Sequence, residues 1–599
     1  MTLTLSHLAW RPRAILAMLA AVILAGAAFL LHAAPAPRAS VSSGLPSSSA
    51  ASGSLADIAR NDPTRPVEVI VQFAGPARFA DGRTLLAANG AKVTRDLHII
   101  DAYGVRMSAG AAQRLGGNPA VKSVTLNAVV KPSGAGITPD GSSNVWGRKD
   151  CGGRSPSWLT SDVCTLRTSY LQSTRTQKLW DAAGPAGGGQ GVTVAVIDTG
   201  VAGGLPDFRT SPSNAASRVI ASVVTNPDAT TEDDLYGHGT HVAGLIAGNG
   251  SLRDAGDPLR GQYVGAAPRA NLVSVKVSDD QGATSLIDVI YGLQFAIDHQ
   301  SQYDIRVINL SLNSDTPGSA ATDPLDAAVE SAWMHGIVVV AAAGNRGTAS
   351  DAVSYAPGND PYVITVGSVD DQGTKRTSDD EVTDWSSRGV TQDGIAKPDV
   401  VAPGAHMVAP YAPNSAFGTA CPACIVDGQY FRVGGTSMST AVVSGIVADL
   451  IELHPTWTPD QVKGALTHQL RTVAGGAGEV DAQRATQATR RDLVANVGLT
   501  PNTLLDPATG DIDYTRASWS RASWSKVEGD RASWSRASWS RASWSRASWS
   551  CDCEVAVTGD ELTNDVEADR ASWSRASWSR ASWSRASWSR ASWSASFTK

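Results

Sequence analysis

Three short strings hold residue types that together do nucleophilic chemistry. They are Val196-Ile197-Asp198-Thr199-Gly200, Gly237-His238-Gly239-Thr240-His241 and Gly435-Thr436-Ser437-Met438-Ser439. A serine hydroxyl attacks poorly until a base takes its proton, and the base needs an acid to hold its tautomer. Asp198, His238 and Ser437 supply those three roles in that order. Taken singly, each has a plainer reading: Asp198 as a turn-initiating residue, His238 as a structural histidine, Ser437 as a helix N-cap. Their joint occurrence, each in its own local context, sets them apart. Gly237 and Gly239 let the backbone beside His238 come close to a substrate. Ser437 stands shortly before the apolar run Ala441 to Leu453, and the free N–H groups of a helix N-terminus favour a developing oxyanion. Asn345 ends the string Ala341-Ala342-Ala343-Gly344-Asn345, where an asparagine after glycine otherwise reads as a turn residue.

The order of the three strings and the residues around them resemble the subtilisin family of serine endopeptidases, from about Val192 to Gly445. The resemblance implies a protease that works through an acyl-enzyme on protein or peptide substrates, with Asp198, His238 and Ser437 as its triad. It gives Asn345 the role of donating its side-chain amide to the oxyanion. It makes Ser311, Leu312 and Asn313, with Ala342, Ala343 and Gly344, the two backbone segments that hold substrate as an added strand and wall the first specificity pocket. His241 matches the family's second, structural histidine. The floor of the pocket falls within Ser354 to Gly358, with the alignment ambiguous by one residue and no side-chain preference legible. The chain departs from the family at Ala441 and Val442, where proline and histidine are usual; the nucleophile lies upstream, so activity is expected to survive. The chemistry requires no cofactor. Structural calcium is common in the family, but no EF-hand-like loop is present and the acidic candidates are too scattered to choose a site.

The elements that must position these residues alternate. Val192 to Ile197, Asn271 to Val277, Val307 to Leu312, Ile337 to Ala342 and Val363 to Val369 are apolar, β-branched runs suited to strands buried on both faces. Between them, Ser285 to His299 has apolar residues at helical spacing, and Asp323-Pro324 to Met334 has a cap-and-proline start with Gly336 past its end. The fold class expected is α/β, a doubly wound and mostly parallel subtilisin-like sheet. Sites in such sheets lie at the carboxyl ends of strands, where Asp198 and Asn345 fall.

A chain of 599 residues holds several domains. Basic residues, then the apolar run Ala14 to Leu31, then small residues, read as a signal peptide over 1–34, with an uncleaved anchor as the alternative. Residues 35–54 read as a linker. Residues 55–133 read as a small α+β domain, with strand material at Val67–Phe73, Lys92–Met107 and Val121–Val130 and helices at Gly82–Asn89 and Ala111–Leu115. Its position resembles the inhibitory prodomain of the family, which would make the chain's own prodomain an inhibitor. Cleavage is expected near Lys131 to Gly136, with no single bond legible. Residues 134–188 read as an extension of the protease, 189–490 as the peptidase domain and 491–515 as a second linker. Residues 516–599 form a tail of Arg-Ala-Ser-Trp-Ser repeats, broken by Lys526–Asp530 and an acidic insert, Cys551–Asp569. Successive tryptophans of the repeat would rotate by about 140° on a helix, leaving no stripe. A contact with a cell surface or polysaccharide, a disordered linker, single-stranded nucleic-acid binding through Arg and Trp, and a small solenoid are the readings open for it.

Export makes disulfides permissible, and the conservative pairing is local: Cys151 with Cys164, Cys421 with Cys424. Zinc held by those four is the rival, weakened because only one pair has close ligand spacing. A formal charge of −6 and 18% charged residues argue against a nucleic-acid partner. The expected location is secreted or at the cell surface. Two other functional classes compete: a catalytically inert fold used for binding, and a surface-attachment protein in which the repeats are the working part.

Overall fold

The computed structural model describes residues 54–133, 166–184, 187–254, 256–474 and 478–505. All lie in the larger of the two units into which the chain divides, Gly53–Lys599. The expected signal, almost all of the first linker, Cys151, Cys164 and the repeat tail fall outside the described residues.

The N-terminal module comprises α1 (Leu55–Asn61), β1 (Pro66–Phe73), α2 (Gly82–Ala88), β2 (Lys92–Leu97), β3 (Ala102–Ser108), α3 (Ala109–Leu115), β4 (Val121–Leu126) and β5 (Val129–Pro132). Its antiparallel sheet runs β2-β3-β1-β4. Strand β1 sends alternate side chains to two different cores, so it is buried on both faces from Val69 to Phe73. Val67, Val69, Val71 and Phe73 enter a core of the module's own with Leu86, Tyr103, Val105 and Leu115. Ile70 joins Leu97, Ile99 and Ile100 in the core of the main body instead. The single run expected over Lys92–Met107 is two strands. A 3₁₀ turn, His98–Ile100, followed by Asp101 at φ 51°, reverses the chain there; aspartate is among the few residues that tolerate that conformation. The run expected over Val121–Val130 also divides. Asn127 donates from Nδ2 to Glu68 Oε2 at 3.2 Å and accepts from the Ile287 N–H at 3.0 Å, pinning the point where β5 leaves the module's sheet.

The main body continues with β6 (Thr193–Asp198), β7 (Val219–Val224), α4 (His238–Ala247), β8 (Asn271–Lys276), β9 (Thr284–Ser285), α5 (Leu286–Asp298), β10 (Ile305–Leu310), β11 (Leu312–Ser314), α6 (Pro324–Met334), β12 (Val338–Ala342), β13 (Ile364–Asp370), β14 (Glu381–Val382), β15 (Val400–Pro403), α7 (Ala416–Ala420) and α8 (Thr436–Leu453). The large sheet runs β14-β13-β12-β10-β6-β8-β7, with β15 also on β13. Every pairing is parallel except β13 with β14. All residues of β6 and β12 are buried, as strands covered on both faces require. Helix α6 starts where Asp323 accepts from the Leu325 N–H at 2.7 Å, with Pro324 at its first position. Helix α8 is buried from Thr436 to Ile451. It begins earlier than the apolar run indicated, so Ser437 stands inside its first turn rather than ahead of it. Ala441 and Val442 are buried in that helix, which passes them unbroken.

The stretch read as an extension packs into the body, and the start expected for the second linker changes. Trp180, from the stretch read as an extension, is fully buried and donates from Nε1 to Ala266 O and Asp449 Oδ2, both at 2.9 Å. Residues 491–505, read as the start of a linker, run on in the body. Asn502 donates its N–H to Glu330 Oε2 at 2.7 Å and its side-chain amide to Ala320 O at 2.5 Å and Asp323 O at 2.9 Å, and Leu504 and Leu505 are buried. Turn-rich composition resembles a linker, yet a polar side chain whose partners are buried holds such a segment down.

Candidate active site

Strand β6 ends on Asp198, and α4 begins on His238. Parallel pairing in the sheet brings the carboxyl end of β6 beside the start of the helix. Asp198 Oδ1 lies 2.7 Å from His238 Nδ1, with both side chains at most 2% exposed. Asp198 Oδ1 also accepts the Thr199 N–H at 2.7 Å. Burial disfavours the charged imidazolium, but the Asp198 charge and hydrogen bond outweigh it, so His238 is raised above the ordinary histidine value. His241, three residues on, is buried without such a partner. Its Nε2 meets Phe431 O at 3.0 Å, and desolvation pushes its pKa down to about 3, leaving it neutral.

Asp234, not singled out from sequence, holds this corner together. It accepts from Thr199 Oγ1 at 2.8 Å, from the Gly237 N–H at 2.7 Å and from the Thr240 N–H at 2.7 Å. Thr199 Oγ1 in turn accepts the Gly239 N–H at 2.9 Å. One buried carboxylate thus ties the turn after β6 to the first turn of α4 and sets the direction of His238. Its only sequence signal is its place four residues before the histidine. The flanking glycines are needed for different reasons: Gly237 has φ 106°, and a Cβ on Gly239 would strike Gly200 O.

Ser437 Oγ donates to Ser311 O at 3.0 Å, and Ser311 Oγ donates to Ser437 O at 2.9 Å. His238 Nε2 is buried and has no hydrogen-bond partner, so the serine–histidine bond is not made in this structure. Such bonds commonly tighten only in a reacting complex. The Ser437 N–H is among the first amides of α8, which have no partner within a helix. Asn345, at the end of the loop after β12, accepts the Thr436 N–H on Oδ1 at 3.0 Å. That bond aims Nδ2 into the cleft, where it donates to the backbone carbonyl of Ser133.

Strand β5 fills this cleft. It pairs antiparallel with β11, matching Pro132 to Leu312, Lys131 to Asn313 and Val130 to Ser314. It also pairs antiparallel with β9, matching Val130 to Thr284 and Val129 to Ser285. The Ser133 N–H donates to Ser311 O at 2.9 Å. Ser311, Leu312 and Asn313 therefore hold an added strand. Ala342, Ala343 and Gly344 do not: the second partner strand is β9, a two-residue element with no signal in sequence. Ala342 accepts instead from Asn313 Nδ2 at 2.9 Å, which ties this segment to the strand that holds β5. Cys421 and Cys424 form a disulfide just after α7. The Phe417 ring of α7 meets the His238 ring edge-on at 6.1 Å between centroids. Among the described residues no group of three or more His, Cys, Asp or Glu side chains is placed to hold a metal ion.

The arrangement has a base oriented by a carboxylate, a serine at a helix N-terminus and an amide aimed at a carbonyl oxygen. Comparison with known proteins agrees with it. Residues 189–495 match the Subtilase family, peptidase S8. The chain is 40% identical over 283 residues to the serine protease AprX of Bacillus subtilis (strain 168), covering 46% of this chain and 61% of AprX. It is 34% identical over 306 residues to a subtilisin of Bacillus pumilus, covering 50% of this chain and 92% of that one. The chain thus spans about three fifths of AprX but nearly all of the shorter relative. The fold resembles that of fervidolysin from Fervidobacterium pennivorans, with a TM-score of 0.52 and 24% identity over 71% of this chain and 61% of that one. Sequence match, fold and the setting of Asp198, His238 and Ser437 lead to one conclusion: the chain belongs to the subtilase family.

Proposed function

We propose that the chain is a serine endopeptidase made as a zymogen, whose N-terminal module is an inhibitory prodomain that the enzyme cuts from itself between Ser133 and Gly134. The observation that carries the reading is the Ser133 carbonyl, presented to the Asn345 amide at the end of a strand paired in the cleft.

Ser437 Oγ attacks the Ser133 carbonyl carbon while His238 Nε2 takes the hydroxyl proton. The carbonyl electron pair moves onto oxygen, held by Asn345 Nδ2 and the Ser437 N–H. Asp198 keeps the Nδ1 proton facing itself and stabilises the imidazolium. The tetrahedral centre collapses, the bond to the Gly134 nitrogen breaks, and His238 gives its proton to that amine. Water then attacks the acyl-enzyme carbonyl, losing its proton to His238; the bond to Ser437 Oγ breaks, His238 gives that oxygen the proton, and a Ser133 carboxylate and the free serine result. The module remains bound as a product until it dissociates, and substrate proteins or peptides take the place of β5. No cofactor enters these steps; any calcium would be structural. The apolar N-terminal run supports export, to the medium or the cell surface, and the repeats support attachment there to a surface or polysaccharide.

The test compares the wild-type chain, freed of residues 1–34, with Ser437→Ala. The wild type should shorten itself to a form beginning at Gly134 and hydrolyse casein. The variant should stay full length and lose about 10⁶-fold in kcat, the loss that subtilisin itself shows on removal of its serine. If both stay full length and inert, and remain inert after limited cleavage by an added protease, the fold serves binding and the reading falls.

A further inference from the structure

We propose that Arg346 closes the pocket for the residue before the scissile bond with a positive charge, so that an acidic side chain is favoured there over a basic one. The inference rests on the peptidase reading and names the substrate class of that site.

The family pattern puts this pocket between Ser311–Asn313 and Ala342–Gly344, and here the two segments are joined where Asn313 Nδ2 donates to Ala342 O at 2.9 Å. The Ser133 side chain enters it: Ser133 is 6% exposed, and its Oγ donates to Asn313 Oδ1 at 2.5 Å. The Arg346 guanidinium touches both segments. Its Nη2 donates to Ser314 O, just past the first wall, at 3.2 Å. Its Nη1 comes within 2.9 Å of where a Cβ on Gly344 would sit, on the second wall, and that same point is 3.0 Å from Asn313 Oδ1. The guanidinium therefore spans both walls next to the atom that Ser133 touches.

Tyr355 holds it there. The guanidinium carbon is 3.5 Å from the Tyr355 ring centroid, and Tyr355 donates its hydroxyl to Asp351 Oδ2 at 2.6 Å. No carboxylate among the described residues pairs with Arg346 directly, so a half-buried cation faces the pocket with its charge only indirectly offset. A serine stops at Asn313. A glutamate, two bonds longer, reaches past Asn313 Oδ1 to the guanidinium, where a carboxylate makes charge-assisted hydrogen bonds. A lysine would bring its ammonium against a like charge.

The test uses self-processed enzyme and three chromogenic peptides that differ only in the residue before the cleaved bond: alanine, glutamate and lysine. The readout is the glutamate-to-lysine ratio of kcat/KM. Wild type and Arg346→Lys should favour glutamate, by about tenfold or more in the wild type. Arg346→Gln should lower that ratio about tenfold, and Arg346→Glu should invert it, while both still cleave the alanine peptide. A ratio that stays the same across the variants, or one that favours lysine in the wild type, overturns the inference and leaves the peptidase reading standing. Failure to cleave even the alanine peptide, in a Ser437-dependent way, overturns both.

Discussion

The N-terminal module and the main body bury their residues in different ways. The body gathers Asp198, His238 and Ser437 from three distant strings into one core, and each is at most 3% exposed. The module has a separate core around Val69, Val71, Leu86 and Val105, and leans on the body with one face of its sheet. Its polar side-chain holds on the body are single hydrogen bonds spread over the interface, such as Asn127 with the Ile287 N–H and Lys122 with Leu505 O. The Gln294 amide donates to Asp96 O at 3.1 Å, and the imidazole of His98 meets Asp298 Oδ1 at 3.0 Å on an exposed rim. Backbone pairing by β5, the segment proposed to be cut, adds a continuous run of contacts. The module proposed to leave is built as a unit of its own, whereas the residues of the site are built into the body's core. The alternation of β1 serves both needs, with one set of side chains sustaining the module and the other sealing the interface.

That contrast is open to attack at four points. The largest effect belongs to the site: Asn345→Ala should lower kcat by ~10²–10³, the loss measured for the oxyanion asparagine of subtilisin itself, with little change in KM. Steady-state kinetics on a peptide checks it, and a rise in KM with kcat unchanged would make Asn345 a binding residue only. Next, Leu86→Ala should destabilise the module by about 2–5 kcal/mol while the self-processed body keeps its melting temperature. Calorimetry on the full chain with Ser437→Ala, and on processed enzyme, separates the two; equal losses in both would show one shared core.

The third prediction concerns pH. A base must be neutral to act, and His238 is raised, so it stays protonated to a higher pH than a free histidine. The acid limb of kcat/KM should therefore lie above 6.5, the ordinary value. Asp198→Asn should move that limb downward as it cuts the rate. The same shift gives the folded body stability that is complete below 6.5 and is lost as pH rises through the raised value. A limb below 6.5 in the wild type would contradict the Asp198–His238 coupling. The smallest effect is expected at the interface. Gln72 is fully buried and donates from Nε2 to Ile100 O at 2.7 Å and to Leu504 O. Gln72→Ala should weaken retention of the cut module by about 1 kcal/mol, read as an earlier onset of activity after self-cleavage.

Much of this was legible from the chain alone. The strands of the parallel sheet announced themselves as apolar, β-branched runs, because burial on both faces leaves no polar side to alternate with. Asp323, Pro324 and Gly336 marked the ends of α6 by local chemistry. Other features left no local mark. Asp234 is one aspartate among many until its three donors converge on it. Thr284 and Ser285 form a strand only because β5 lies beside them. Asn502 looked like part of a linker because nothing near it in sequence shows that Glu330 waits for its N–H.

The types and order of Asp198, His238, Ser437 and Asn345, and the alternation that makes an α/β sheet, belong to the sequence by itself, since they depend on side-chain chemistry and on periods of a few residues. Which carbonyl is presented to Asn345, which strands clasp β5 and where the charge of Arg346 lies were decided only in the tertiary structure. Each depends on groups far apart along the chain, and their distances are set by how the sheet, the helices and the module pack rather than by any neighbour in sequence.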